Sequence, residues 1–250
     1  MATVLDIAHL RVSYGNKIIV NDVSFSVEEG EILAIIGESG SGKSTIIRSI
    51  LNLLPPTAQV QGDICFKGNT LTTLKEAEIN PLRGRELAVI FQNPSAYFNP
   101  LRSIENHYND FLKAHGVPIE STLKIDMLRS VGFSEPERIL KSYIQDLSGG
   151  MQQRVSIAMA MTLKPSLLLA DEPTSALDAI YQEEILLLIK SLCRQYNTAL
   201  VLVTHNLHAA TAMADYIAIM QAGNLVEWGT GKTIQEYPQT AYTKYLWDAL

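Results

Sequence analysis

The chain predicts an α/β fold: a parallel β-sheet covered by helices on both faces, with an N-terminal antiparallel β subdomain and an inserted helical subdomain. Three observations predict it. In the N-terminal and C-terminal parts, short apolar runs alternate with helical stretches, the pattern of strands buried on both faces. The first third carries closely spaced runs of Val, Ile and Phe joined by short turns, which read as strands. From Pro94 to about Tyr143 such runs thin out and helix-like stretches replace them.

The elements follow in order. Val4–Ile7, Ile18–Val20, Val23–Val27 and Ile32–Ile36 read as strands, with Tyr14-Gly15-Asn16 and Glu29-Gly30 as turns. A helix runs from Lys43 to about Leu53 and is stopped by Pro55-Pro56. Asp63–Phe66 and Leu87–Phe91 are further strands, and Ser121–Val131 and Glu135–Leu140 are helices of the insertion. Leu167–Ala170 is a short strand ending in acids. Asp178–Gln195 is a helix with Tyr181, Ile185, Leu188, Ile189 and Leu192 on one face. Ala199–Val203, Tyr216–Met220 and Leu225–Trp228 complete the strands. The whole chain, 1–250, is expected to be one domain, with core 1–93 and 158–250 around a helical subdomain of about 94–157.

Composition narrows the function classes. Of 250 residues, 47% are hydrophobic and 18% charged, enough for a real core. No run of 18 or more apolar residues occurs, so no membrane span is expected. Met1 to Leu10 lacks the basic start and apolar run of a secretory signal. The net charge of −6, with no dense Lys/Arg cluster, argues against a nucleic-acid partner. Cys65 and Cys193 stand far apart, in no ligand spacing, and are expected to be reduced thiols.

Gly37-Glu38-Ser39-Gly40-Ser41-Gly42-Lys43-Ser44-Thr45 matches G-x-x-x-x-G-K-[ST] at every fixed position. The pattern follows the strand Ile32–Ile36 and opens a helix, the context it requires. Glycines let backbone N–H groups turn inward around a phosphate chain, and the positive end of the helix adds to the field. Lys43 is placed to reach the β- and γ-phosphates, and Ser44 to offer its hydroxyl to Mg²⁺. A solvated Gly-Ser loop is the bland reading; chance produces the pattern in about one chain in a hundred of this length. A dinucleotide fingerprint fails, because Thr45 stands where the third glycine is required. The second constellation is Leu167-Leu168-Leu169-Ala170-Asp171-Glu172. A buried parallel strand delivers its last side chains to the sheet edge where ligands bind. Asp171 would hold Mg²⁺, and Glu172 would orient or deprotonate an attacking water. Alone, an Asp-Glu pair after a strand is usually a solvated turn; beside the phosphate loop it is specific.

Leu147-Ser148-Gly149-Gly150-Met151-Gln152-Gln153-Arg154 resembles the LSGGQ-type signature of ABC ATPases, just upstream of the acidic strand end as in that family. The resemblance covers essentially the whole chain and implies a P-loop NTPase (RecA-like) core that binds and hydrolyses ATP with Mg²⁺. It implies that Tyr14 stacks on adenine, that Gln92 is the Q-loop glutamine and a Mg²⁺ ligand beside Ser44 and Asp171, and that Ser175-Ala176-Leu177-Asp178 is the D-loop. His205 is implied as the switch histidine; a lone His after a strand is otherwise more often structural. Ser148 and two glycines open an amphipathic helix with Met151, Val155, Ala158, Met159 and Thr162 on one face, and its N-terminus is a second anion site. In the family that site takes the γ-phosphate held by the opposing subunit, which implies a head-to-tail dimer. A related ATPase chain is the expected partner, a second copy of this chain the alternative.

Arg83-Gly84, Phe91-Gln92-Asn93-Pro94, Asn99-Pro100 and the stretch Tyr237–Leu246 resemble the oligopeptide/dipeptide/nickel importer ATPases. That resemblance implies two transmembrane permease subunits, an extracytoplasmic solute-binding protein and a place at the cytoplasmic face of the membrane. Exporter or lipoprotein-release ATPases, and ABC ATPases serving nucleic acid, are the rival readings. Two departures from the family stand out: Asn206 replaces an Asp after the switch histidine, and Tyr97-Phe98 replaces a smaller residue and a Leu. The expected cargo is nickel, a metal chelate or a short peptide. The lean to nickel rests on the chain ending soon after Tyr242–Leu246 without the cysteine-bearing extension of many peptide-type relatives.

Overall fold

A computed structural model describes residues 2–248; Met1, Ala249 and Leu250, the outermost positions of the expected domain, lie outside the described residues. In chain order the elements are β1 (Thr3–Tyr14), β2 (Lys17–Glu28), β3 (Ile32–Ile36), α1 (Lys43–Ile50), β4 (Ala58–Phe66), β5 (Asn69–Thr70), α2 (Glu76–Ile79) and β6 (Leu87–Ile90). Then come α3 (Ile104–Ala114), α4 (Ser121–Ser130), α5 (Pro136–Lys141) and α6 (Gly149–Met161). The chain closes with β7 (Leu167–Asp171), α7 (Ala179–Tyr196), β8 (Ala199–Thr204), α8 (Leu207–Met213), β9 (Tyr216–Gln221), β10 (Asn224–Thr230), α9 (Gly231–Glu236) and α10 (Ala241–Asp248).

The N-terminal strands form an antiparallel sheet in the order β2-β1-β4-β5. β2 buries Val20, Val23, Phe25 and Val27 and exposes Ser24 and Ser26, as a half-buried strand does. It is one strand where the apolar pattern reads as two. The register against β1 slips between Leu10 and Val12, and Asp22 has φ 54°. A β-bulge there throws the alternation out of phase.

The second sheet runs β10-β9-β3-β8-β7-β6. β9, β3, β8, β7 and β6 are mutually parallel, and β10 is antiparallel to β9. Every residue of β3 and β8 is buried, which is why these strands read as unbroken apolar runs. Leu33, Ile35, Val201 and Val203 pack toward the antiparallel sheet and α1, whereas Ile32, Leu200 and Leu202 pack toward the inserted helices. Ala34 and Ile36 meet α8, α9 and α10 through Leu207, Ala210, Ile234 and Tyr242. The chain leaves β3 for the far edge at β6 and fills back through β7 and β8. The ends of β3, β6, β7 and β8 therefore open on one side, at the place where the strand order breaks, the usual ligand edge of such sheets.

The helices α3–α6 lie between β6 and β7 in the chain. The fully buried Lys124 on α4 donates to Glu105 (3.1 Å) and Asn109 (2.8 Å) on α3, tying those helices together. α6 continues past residue 157 to Met161, with Ala158 and Met161 buried in the same core. α1 stops at Ile50, short of Leu53, because Asn52 turns left-handed at φ 51°. The Arg83 guanidinium then takes the carbonyls of Leu51 (2.8 Å) and Asn52 (3.2 Å), a cation on orphan helix-end carbonyls. On α7, Ile185, Ile189 and Leu192 are buried, but Tyr181 is exposed.

Candidate nucleotide site

The phosphate loop leaves the buried strand β3 and squeezes between β9 and β2 before entering α1. A Cβ on Gly37 would collide with the carbonyl of Met220, and one on Gly42 would lie 2.6 Å from the carbonyl of Ile19. Gly42 also stands at φ 102° as the residue preceding α1, with no side-chain cap and no acid in the first turn of the helix. The first N–H groups of α1 are thus free of anionic neighbours on their own helix, which suits them to an anion. Ser41 Oγ is buried with no hydrogen-bond partner, an orphan of the kind a ligand satisfies.

Lys43 is buried, and its ammonium donates to the carbonyls of Gly37 (2.7 Å) and Glu38 (2.8 Å). Burial pulls its pKa down, against the pull of Glu172, Asp171 and Glu38. Ser44 Oγ donates to Asp171 Oδ1 at 2.8 Å, joining the start of α1 to the end of β7. Burial raises the Asp171 pKa, with the Ser44 bond opposing and Glu172 adding to the rise. Both shifts have one origin: two charged groups drawn into a partly desolvated cleft.

Glu172 follows directly. Its φ is 47°, a left-handed conformation that a non-glycine residue adopts at a cost of about 1–3 kcal/mol. Its amide donates to the carbonyl of Val203 (2.9 Å) on β8, which holds the turn in place. Its carboxylate lies 3.2 Å from Nδ1 of His205, which follows β8. The Ser175 hydroxyl and amide both approach the Glu172 carbonyl at 3.3 Å.

The remaining residues fall as follows. Gln92 is exposed just beyond β6, on the same sheet edge. Tyr14 ends β1, paired with Lys17 at the hairpin and half-buried. Glu38, Ser39 and Gly40 are exposed, and Thr45 lies in the first turn of α1. Ser148 caps α6, its Oγ accepting from the Met151 amide at 3.4 Å. Gly149 faces Leu177 and Gly150 faces Tyr181, so the signature sits against the D-loop side of its own chain. Asp178 precedes α7 without a side-chain cap bond. Among the described residues, no hydrogen bond joins Ser148, Gly149 or Gly150 to the phosphate loop. Asn206 caps α8, its Oδ1 accepting from Ala209 N at 2.9 Å. Tyr97 stacks on Phe91 (4.3 Å between centroids), and Phe98 meets His107 edge-on (5.0 Å).

Sequence reasoning missed one contact. The Glu38 amide donates to the hydroxyl of Tyr242, 3.1 Å away and 204 residues further along the chain. The family-like stretch Tyr237–Leu246 was the only signal, and it said nothing about place. Among the described residues no helix is long and apolar enough to cross a membrane.

A family model described as "ABC transporter" matches residues 20–175. The chain is 38% identical over 250 residues to the metal-staphylopine import system ATP-binding protein CntD of Staphylococcus aureus, covering 98% of this chain and 92% of that one. It is 40% identical to the dipeptide transport ATP-binding protein DppD of Bacillus subtilis, covering 98% of this chain and 76% of the relative. A dimeric structure of the ATP-binding cassette MJ0796, in a post-hydrolysis state with ADP and Pi, superposes with a TM-score of 0.77 at 28% identity, covering 90% of this chain and 98% of that one. With the phosphate loop, the acidic strand end and the signature on one ABC fold, the chain belongs to the ABC transporter family as an ATP-binding, ATP-hydrolysing subunit.

Proposed function

We propose that the chain powers solute import by hydrolysing MgATP in a site shared with a second ATPase subunit. The observation that carries this reading is the meeting of two short contacts at neighbouring strand ends: Ser44 with Asp171 at 2.8 Å, and Glu172 with His205 at 3.2 Å. The first pair offers two hard oxygen donors, a set that fits Mg²⁺, and Gln92 joins it from the end of β6. The cation would neutralise charge on the β- and γ-phosphates. Lys43 and the loop amides from Gly37 to Thr45 bind the phosphates, and Tyr14 carries the adenine. Glu172 orients and deprotonates the attacking water, His205 orients Glu172, and the signature Ser148-Gly149-Gly150 with Asp178 serves the nucleotide of the opposing subunit.

Beside the Q-loop, an apolar cavity of about 320 Å³ is lined by Leu53, Phe91, Tyr97, Phe98, Phe111 and Met159. It suits a short helix of a permease, so the chain works as a peripheral subunit on two transmembrane partners, with a solute-binding protein outside and no nucleic acid. The Phe91–Tyr97 stack supports partner selection at this groove.

For cargo we favour a metal chelate or nickel over a short peptide. The support is the likeness to a metal-staphylopine import subunit across 92% of that relative's length. Deleting the gene and measuring uptake of labelled nickel, with and without chelators, beside a labelled dipeptide tests it. Loss of metal uptake alone is expected. Loss of peptide uptake alone overturns the metal preference, and loss of neither overturns import.

A further inference from the structure

We propose that Tyr242 is a positioning residue of the nucleotide site, acting on Lys43 through a single peptide unit of the phosphate loop. The proposal rests on the assignment of that loop to ATP. The peptide joining Gly37 to Glu38 is held at both ends. Its N–H, on Glu38, donates to the Tyr242 hydroxyl at 3.1 Å. Its C=O, on Gly37, accepts from the Lys43 ammonium at 2.7 Å. A trans peptide is planar, with N–H and C=O pointing in opposite directions. Tyr242, the peptide and Lys43 therefore form one rigid line, and a rotation of the peptide that breaks one bond breaks the other. Hydrogen bonds in such a chain also polarise one another.

The tyrosine is carried by a fixed support. Glu227 on β10 is buried and accepts the amides of Gln239 (2.8 Å) and Thr240 (3.1 Å), which sets the start of α10. Hydrogen bonds from Thr243, Gln239 and Thr240 hold the Glu227 carboxyl below its ordinary range, outweighing the upward effect of burial. Thr240 Oγ1 caps α10 by accepting from the Thr243 amide at 3.0 Å. Trp247 Nε1 donates to the Ile234 carbonyl at 3.1 Å, and Tyr242, Leu246 and Trp247 pack on the cluster of Ala34, Ile36, Ile217 and Ile219. The same Trp247 lies edge-on to His208, with centroids 5.8 Å apart, three residues beyond His205. One short helix thus bears on the phosphate loop and on the helix that follows the switch histidine.

Glu38 is exposed, so water replaces the hydroxyl if it is lost. The value of the contact is the orientation of the peptide rather than rescue of a buried donor. A loss of this kind weakens the ground state and the transition state alike. Tyr242→Phe keeps the ring and removes only the acceptor. In the assembled transporter its KM for ATP should rise roughly 3- to 10-fold with kcat unchanged. Emission of Trp247, read in a Trp228→Phe background, should stay as in the parent, showing that α10 remains docked. An unchanged KM overturns the proposal. So does a fall in kcat at constant KM, or a raised KM accompanied by the shifted Trp247 emission of a Thr240→Ala variant, which loosens α10 while keeping the hydroxyl. Lys43→Ala, measured in parallel, separates the two readings: if it binds ATP like the parent, the loop assignment fails, whatever Tyr242→Phe does.

Discussion

Glu172 Oε2 and His205 Nδ1 stand 3.2 Å apart across the ends of two paired strands. The backbone repeats the connection, since the Glu172 amide donates to Val203 two residues before the histidine. A carboxylate on a left-handed turn is thus fixed at its base by β8 and at its tip by the imidazole. His205 is largely exposed while Glu172 is mostly covered. The geometry gives the glutamate a set direction, and the histidine stands open to solvent.

The first prediction concerns that glutamate. Glu172→Gln keeps the size and the contact to His205 but cannot take a proton. ATP binding should persist while steady-state turnover falls by about 10²–10⁴-fold. Lys43→Ala should instead weaken binding itself, because it removes a ground-state charge contact. Calorimetric titration beside an ATPase assay separates the two. Turnover of Glu172→Gln within a few-fold of the parent would sink the assignment.

The second prediction places the signature in trans. Ser148, Gly149 and Gly150 open α6 next to Leu177 and Tyr181, and Ser148 is already used as the α6 cap. Ser148→Arg should spare ATP binding to its own phosphate loop and block closure of the dimer. A melting curve guards against the loss of the cap, worth about 1 kcal/mol. Mixed with a Lys43→Ala chain, it should rebuild one competent composite site and trap nucleotide. Trapping no better than either variant alone argues against the assignment, provided the chain pairs with itself.

What could be read in advance was local. The phosphate loop, the acidic end of β7 and the signature are contiguous strings whose chemistry needs those residues at that spacing, and the unbroken apolar runs of β3 and β8 announce strands buried on both faces. What could not be read depends on distant partners. Asp22 sits at the bulge that joins two apparent strands into β2. The end of α1 is set by Asn52 and by Arg83, thirty-two positions from Leu51. Tyr181 follows the periodicity of the α7 face yet is exposed. Tyr242 reaches Glu38 only because Glu227 and Trp247 dock α10, and no periodicity encodes that.

The third prediction turns on a departure from the family pattern. Asn206 follows His205, the proposed switch histidine, where the family pattern has an Asp, and the structure gives it a local role. Its Oδ1 accepts from the Ala209 amide at 2.9 Å and caps α8. Asn and Asp cap helices about equally well. Asn206→Asp should therefore leave stability unchanged, while Asn206→Ala should cost about 1 kcal/mol. Urea denaturation of the two variants checks it. An Ala variant as stable as the parent removes the capping role.

The last prediction is a pH dependence with its sign fixed by the site. Burial raises the Asp171 pKa, and the Ser44 bond only partly offsets this. The carboxylate must be ionised to hold Mg²⁺, so protons compete with the cation, and a raised pKa starts that competition at a higher pH than an ordinary aspartate would. Burial lowers the Lys43 pKa, so the ammonium proposed to meet the phosphates loses its proton earlier on the alkaline side. The window of tight MgATP binding is therefore narrowed at both ends. Linkage fixes the sign for stability. A folded-state pKa above the unfolded one means that the favourable contribution of Asp171 is complete below the unfolded pKa and is lost as pH rises through the folded pKa. In the unliganded chain, Asp171→Asn should thus raise stability above that range relative to the parent. The affinity test is a series of MgATP titrations across pH for parent and Asp171→Asn. ATP and Mg²⁺ have their own titrations, but these are common to both proteins and cancel in the ratio. The parent's advantage should shrink on acidification, converging on the affinity of the variant. A ratio that stays constant down to the ordinary aspartate range would mean that Asp171 does not take up the proton, and that the cation is held elsewhere.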